Sequence, residues 1–168
     1  TGAMVLDHID RVAYAARSNR TDPVALERFC THFNFEPMVF DAHDAAGRPI
    51  YHTNVLIGIG TNYALVGLDM IGDARRRAEV RQRLEAPGRQ VIALSPAQIG
   101  EFAGNAIELE GRDGRVLALS SRALRSLSAE QVAVIERSSR LLPLDVPTIE
   151  LAGGPRCGML VGVHLVGG

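Results

Sequence analysis

A repeat constrains this chain more than any other feature. Short apolar segments begin at residues 3 (AMVLD), 55 (VLIGI), 106 (AIELE) and 158 (GMLVG), 51 or 52 residues apart. Periods of this length specify copies of one supersecondary unit packed against each other. Each of the first three segments is followed by a turn signal: Asp7-His8-Ile9-Asp10, Gly60-Thr61-Asn62 and Gly111-Arg112-Asp113-Gly114. A second apolar run comes next, at 11–15, 63–68 and 115–119, which is the pattern of a β-hairpin. Helices are predicted at 22–33, 73–84 and 128–137, opened by the capping residues Asp22, Asp73 and Ser128. Ser128-Ala129-Glu130-Gln131 also has the spacing of a capping box. Single strands at 37–40, 90–94 and 141–144 close the units, and 158–162 reads as the first strand of a further copy. The predicted fold class is α/β, built from ββαβ units.

Such a unit cannot bury both faces of its own sheet, so it must pack on copies of itself in a ring or solenoid. A ring brings the equivalent loops of all units to one centre. The residues that precede the first strands are Thr1-Gly2, His52-Thr53-Asn54, Gly104-Asn105 and Arg156-Cys157. A histidine and a cysteine thus occupy repeat-equivalent positions, the arrangement by which a ring would assemble a nucleophilic site from distant sequence.

Composition narrows the function. The 168 residues carry a net charge of −1 with no basic stripe, which argues against nucleic acid as a partner. All 18 basic residues are Arg, which excludes Schiff-base chemistry and a P-loop lysine. No apolar run approaches the ~20 residues of a spanning helix, and no secretory signal is visible; the expectation is a cytoplasmic protein that does not engage membranes. Two cysteines are too few for a disulfide framework, and Cys30 falls in the amphipathic run Leu26, Phe29, Cys30, Phe33, a core position. No histidine pair has metal-ligand spacing, so no metal is expected. The run Arg75-Arg76-Arg77 with Arg81 and Arg83 reads as a solvated helix face, and Asp44 and Asp69 as carboxylates that could lie near the site.

Five stretches carry a family resemblance: residues 1–7 (TGAMVLD), 11–15 (RVAYA), 51–56 (YHTNVL), 102–105 (FAGN) and 153–157 (GGPRC). In this order they resemble the guanidino-group-modifying enzymes, the penteins, and within them the amidinotransferase-like, citrulline-utilisation hydrolase group. The resemblance implies a propeller of five ββαβ blades, of which this chain would hold about three, as the C-terminal portion of a single catalytic domain. It implies Cys157 as nucleophile and His52 as general acid/base, with Asn54, Asn105 and Arg156 holding the substrate. Two further blades, and a catalytic Glu-Gly pair just before Thr1, would come from an upstream polypeptide or be replaced by self-association. Many relatives have His-x-Asp where this chain has His52-Thr53-Asn54, and an amide in place of a carboxylate suits a neutral ureido group better than a guanidinium. The implied activity is cofactor-free hydrolysis of a non-peptide C–N bond in an arginine-like or citrulline-like amino acid. The alternatives are amidino transfer by the same pair, or a catalytically silent assembly subunit.

Overall fold

The computed structural model describes residues 2–145. Within them the repeat occurs three times. The first unit comprises β1 (Val5–Asp7), β2 (Val12–Ala16), α1 (Pro23–Phe33) and β3 (Glu36–Phe40); the second comprises β4 (Ile57–Ile59), β5 (Tyr63–Val66), α2 (Ala74–Glu85) and β6 (Gln90–Ala93). A short helix, α3 (Pro96–Gly100), leads to the third unit: β7 (Ile107–Gly111), β8 (Gly114–Ser120), α4 (Ser121–Ser126), α5 (Ala129–Glu136) and β9 (Arg140–Leu144). Each unit forms one three-stranded sheet in sequence order, its second strand antiparallel to the first and parallel to the third. The strand expected at 158–162 lies outside the described residues.

The predicted caps are made. Asp22 accepts from the Ala25 amide at 2.7 Å ahead of Pro23, and Asp73 accepts from the Arg76 amide at 2.8 Å. The Ser128–Gln131 box closes in both directions, and Ser95–Gln98 forms a second box that opens α3. The two glutamines also meet: Gln98 Nε2 donates to Gln131 Oε1 at 2.6 Å, tying the entrance of α3 to that of α5. Helices α3 and α4 were not predicted, because five or six residues show too little periodicity to register. The first strand of the second unit begins at Ile57 rather than at residue 55, since Thr53–Val55 forms a 3₁₀ turn.

Alternation along β2 shows how the units pack. Ala13 and Ala15 face α1 and form a small core with Leu26 and Cys30, which places Cys30 where its spacing predicted. Val12, Tyr14 and Ala16 point the other way, into the main core shared with Leu56, Tyr63, Leu65 and Ile71 of the second unit. The α1 helix covers one face of the first sheet, and the second unit covers the other.

Charged residues lock this junction. Arg89 and Asp7 are both buried and paired in two places, with Arg89 Nη2 at 2.8 Å from Asp7 Oδ1, and Arg89 Nε donates to the Gly60 carbonyl at 2.8 Å. Asp7 Oδ1 also accepts from the amides of Ile9 and Asp10 at 3.0 Å each, organising the hairpin turn. Burial raises the Asp7 pKa, but the hydrogen bonds and charge of Arg89 and the turn amides outweigh it and hold the carboxyl below its ordinary value. The arginine run of α2 divides accordingly. Arg75, Arg76 and Arg81 pair with Glu79 or Glu85 on their own helix, whereas Arg83 reaches across to Asp10 at 3.1 Å and Glu36 at 2.6 Å.

Arg89→Met leaves Asp7 charged and buried without its partner, and is expected to cost about 3–5 kcal/mol in urea unfolding at neutral pH. The lowered pKa means that the pair stabilises fully above the ordinary carboxylate range and is lost as the pH falls through the folded value. The deficit of the variant should therefore shrink in acid; a deficit independent of pH would contradict the ionised pair.

Candidate active site

Among the described residues, the three loops that precede the first strands lie beside one another. The Asn54 amide donates to the Gly2 carbonyl at 3.3 Å, and the Thr53 hydroxyl donates to the Ala3 carbonyl at 2.7 Å. On the other side, a Cβ at Gly104 would lie 2.5 Å from the Val55 carbonyl oxygen, and one at Gly58 would lie 3.0 Å from the Ala106 carbonyl oxygen. Segments 2–3, 53–58 and 104–106 therefore lie side by side, at separations that only glycine permits.

His52 occupies the position that precedes the 3₁₀ turn with an extended backbone (φ −121°, ψ 114°), and its half-buried ring rests against Tyr51, centroids 4.5 Å apart. Thr53 beside it is fully buried. Its Oγ1 accepts from the Ala16 amide at 2.8 Å while donating to Ala3. The Asn54 side chain lies against Gly2, where a Cβ would come within 2.8 Å of Asn54 Oδ1; the missing Cβ keeps that approach open, and the positive φ (+80°) independently favours glycine there.

Asn105 is buried, and its amide donates to the Phe102 carbonyl at 2.9 Å. Phe102 holds a left-handed φ of +73°, a costly conformation for a residue with a side chain, and it turns the chain into Ala103-Gly104-Asn105. Arg122 secures this turn: its guanidinium lies 5.0 Å from the centre of the Phe102 ring and pairs with Glu101, Nη2 to Oε1 at 2.9 Å. The Arg122 hydrogen bond is the main cause holding the Glu101 carboxyl below its usual range.

The structure thus aligns the backbones that carry His52, Asn54 and Asn105, whereas Arg156 and Cys157 lie outside the described residues. The two candidate carboxylates have other partners: Asp44 organises its own turn through the Ala46 and Arg48 amides and the Arg48 side chain, and exposed Asp69 lies 3.7 Å from Arg77. Sequence reasoning passed over Thr53, Phe102 and the Glu101–Arg122 pair; nothing in local spacing marks a hydroxyl that binds backbone 37 and 50 residues away. Among the described residues no three His, Cys, Asp or Glu side chains could hold a metal ion, and no helix is long and apolar enough to cross a membrane. An open cleft of about 510 Å³, lined by Arg115, Arg137 and Arg140 among others, lies at the hairpin end of the third sheet, opposite to the loops.

Residues 1–165 match the family model for N,N dimethylarginine dimethylhydrolase, eukaryotic. The chain belongs to this family. No curated protein matches it. Among solved structures, the chain is similar to the substrate-bound N-terminal domain of ArgZ, an arginine dihydrolase from the ornithine–ammonia cycle in cyanobacteria, with TM-score 0.68 and 17% identity over 91% of this chain and 52% of that one. A variant of that domain, covalently bound to a reaction intermediate, gives TM-score 0.67 at 15% identity, over 91% of this chain and 52% of that one. AgrE in complex with ornithine and NAD+ gives TM-score 0.70 at 17% identity, over 91% of this chain and 21% of that one. The chain spans about half the length of the ArgZ domain. These likenesses share its mixed α/β fold, and the family is one of guanidino-modifying enzymes, in agreement with the resemblance seen in the sequence.

In this dimethylarginine dimethylhydrolase family member, Gly104→Ala must displace the backbone at Val55 and Leu56, for which no flexible side chain can compensate. The expected loss is about 1–3 kcal/mol in thermal unfolding. Gly72→Ala, where a Cβ would meet nothing within 4 Å, serves as the control and should stay within about 0.5 kcal/mol of the parent.

Proposed function

We propose that the protein is a cysteine-dependent hydrolase of a non-peptide C–N bond in a guanidino or ureido amino acid of the arginine and citrulline type. The observation that carries this reading is the alignment of the His52–Asn54 and Gly104–Asn105 loops at one edge of three repeated sheets, in a chain whose family acts on methylated arginine. The three units are read as part of a larger propeller, closed by further blades from an upstream polypeptide or from self-association; the half-length match to the ArgZ domain supports this.

In the proposed reaction the Cys157 thiolate attacks the central carbon of the guanidino or ureido group, forming a C–S bond and a tetrahedral adduct. The adduct collapses as the C–N bond breaks, and the departing amine takes a proton from His52. Water, giving its proton to the now neutral His52, then attacks the thio-intermediate; the C–S bond breaks and the thiolate is restored. A free thiol has a pKa near ~8.5, so a neighbouring cation is needed to populate the thiolate, and Arg156 or a cationic substrate would supply it. Asn54 and Asn105 would orient the substrate, each amide both donating and accepting.

Release of ammonia or alkylamine from arginine, N-methylated arginines and citrulline tests the reading on the polypeptide that carries this chain. Cys157→Ala should reduce release to background and His52→Ala should lower kcat by roughly 10²–10⁴-fold. Release that survives Cys157→Ala would overturn the mechanism. Turnover of none of these substrates would favour a silent subunit, and a new guanidino product in the presence of an acceptor amine would favour amidino transfer.

A further inference from the structure

We propose that Thr53 is a positioning residue for His52: its hydroxyl takes the place of one rung of the first sheet and thereby fixes the histidine's backbone against the strand that opens the first unit. This rests on the proposed role of His52 as acid/base. The β1–β2 register pairs Val5 with Tyr14, Leu6 with Ala13 and Asp7 with Val12; continued outward, it would pair Ala3 with Ala16. There the sheet is parted. The Ala16 amide donates to Thr53 Oγ1 at 2.8 Å, and the same hydroxyl donates to the Ala3 carbonyl at 2.7 Å. One hydroxyl from the second unit thus bridges two strands of the first, doing what a direct amide-to-carbonyl bond would otherwise do.

The bridge requires a group that donates and accepts at once within a site closed to water. Two further tethers act on the same segment: the Ser18 hydroxyl donates to the Tyr51 carbonyl at 3.0 Å, and the Asn54 amide donates to the Gly2 carbonyl at 3.3 Å. His52 sits between them, one peptide from Thr53. The hydroxyl of Thr21 donates to the Ala16 carbonyl at 3.0 Å, so both peptide groups of Ala16 are held by threonines and the Thr53 anchor is itself fixed. Because the hydroxyl binds backbone on both sides, the His52 loop is referenced to the path of the first unit's chain and not to a neighbouring side chain that could change rotamer.

Thr53→Val keeps shape and removes the bridge, while Thr53→Ser keeps the bridge. Both are compared with the parent by kcat and KM and by the ring resonances of labelled histidines, His52 being identified through its loss in His52→Gln. In Thr53→Val, kcat should fall roughly 10- to 100-fold with KM little changed, and the His52 resonances should move while those of His8, His32 and His43 stay in place. Thr53→Ser should restore both readouts. Unmoved His52 resonances in Thr53→Val, equal impairment in Thr53→Ser, or a common shift of all the histidines would each overturn the proposal. If His52→Gln retains full turnover, the acid/base assignment fails instead, and the resonances alone decide whether Thr53 places the ring.

Discussion

The second strand of each unit must be covered on both faces, and the rest of the molecule follows from that requirement. In β2 the alanines at 13 and 15 meet α1, while Val12, Tyr14 and Ala16 meet the second unit. A single crossover helix can cover only one face, so an isolated unit would expose a row of side chains that includes a whole tyrosine. Burial contributes on the order of 1.5–3 kcal/mol for a large apolar side chain, enough to make the stacked arrangement the stable one. The short strands, the capped helices and the tight hairpins are consistent with this requirement: each unit is a thin slab whose stability comes from its neighbours.

The two ends of the slabs are built differently. At the hairpin ends, buried charge fixes how the units meet: Asp7 with Arg89, and Glu108 accepting from Thr61 of the second unit and Ser139 of its own. These partners are spent on each other and leave little to act on a ligand. At the opposite ends the contacts reach backbone, directly at Gly58 and Gly104 and through the Asn54 side chain at Gly2 and the Thr53 hydroxyl at Ala3. Small residues let several loops share one place, which is what a site assembled from distant segments needs. The strained φ of Phe102 belongs to this second end and fits the tendency of such strain to collect where side chains are aimed.

Much of this was legible in the sequence because it is periodic or local. The hairpins, the three main helices and the Ser128 capping box follow from spacings of two to four residues, and the repeat from a spacing of about fifty. The core position of Cys30 came from helical periodicity, and its buried thiol is pushed up in pKa by burial, as expected of a structural cysteine. What remained hidden is non-local and polar. Arg83 lies in a run that resembles any solvated helix face, yet it crosses to Asp10 and Glu36, and Arg89 follows a turn yet pairs with a carboxylate 82 residues earlier. Thr53 stands between His52 and Asn54 with nothing local to mark its hydroxyl. Such partners depend on how two slabs meet, which no window of sequence contains. For the three loops within the described residues the repeat did give the neighbourhood, because equivalence under the repeat is a statement about space.

Dividing a site among repeats has a mechanical consequence. The His52 loop is hydrogen-bonded to the first unit through Ser18, Ala3, Ala16 and Gly2, while the Gly104 turn is seated on Val55 of the second. The path between His52 and Asn105 thus crosses two inter-unit junctions, one at the Thr53 hydroxyl and one at Gly104. On this architecture, the buried Asp7–Arg89 pair at the hairpin end and the Thr53 bridge at the loop end are two supports of one slab, and the geometry of the proposed site depends on both.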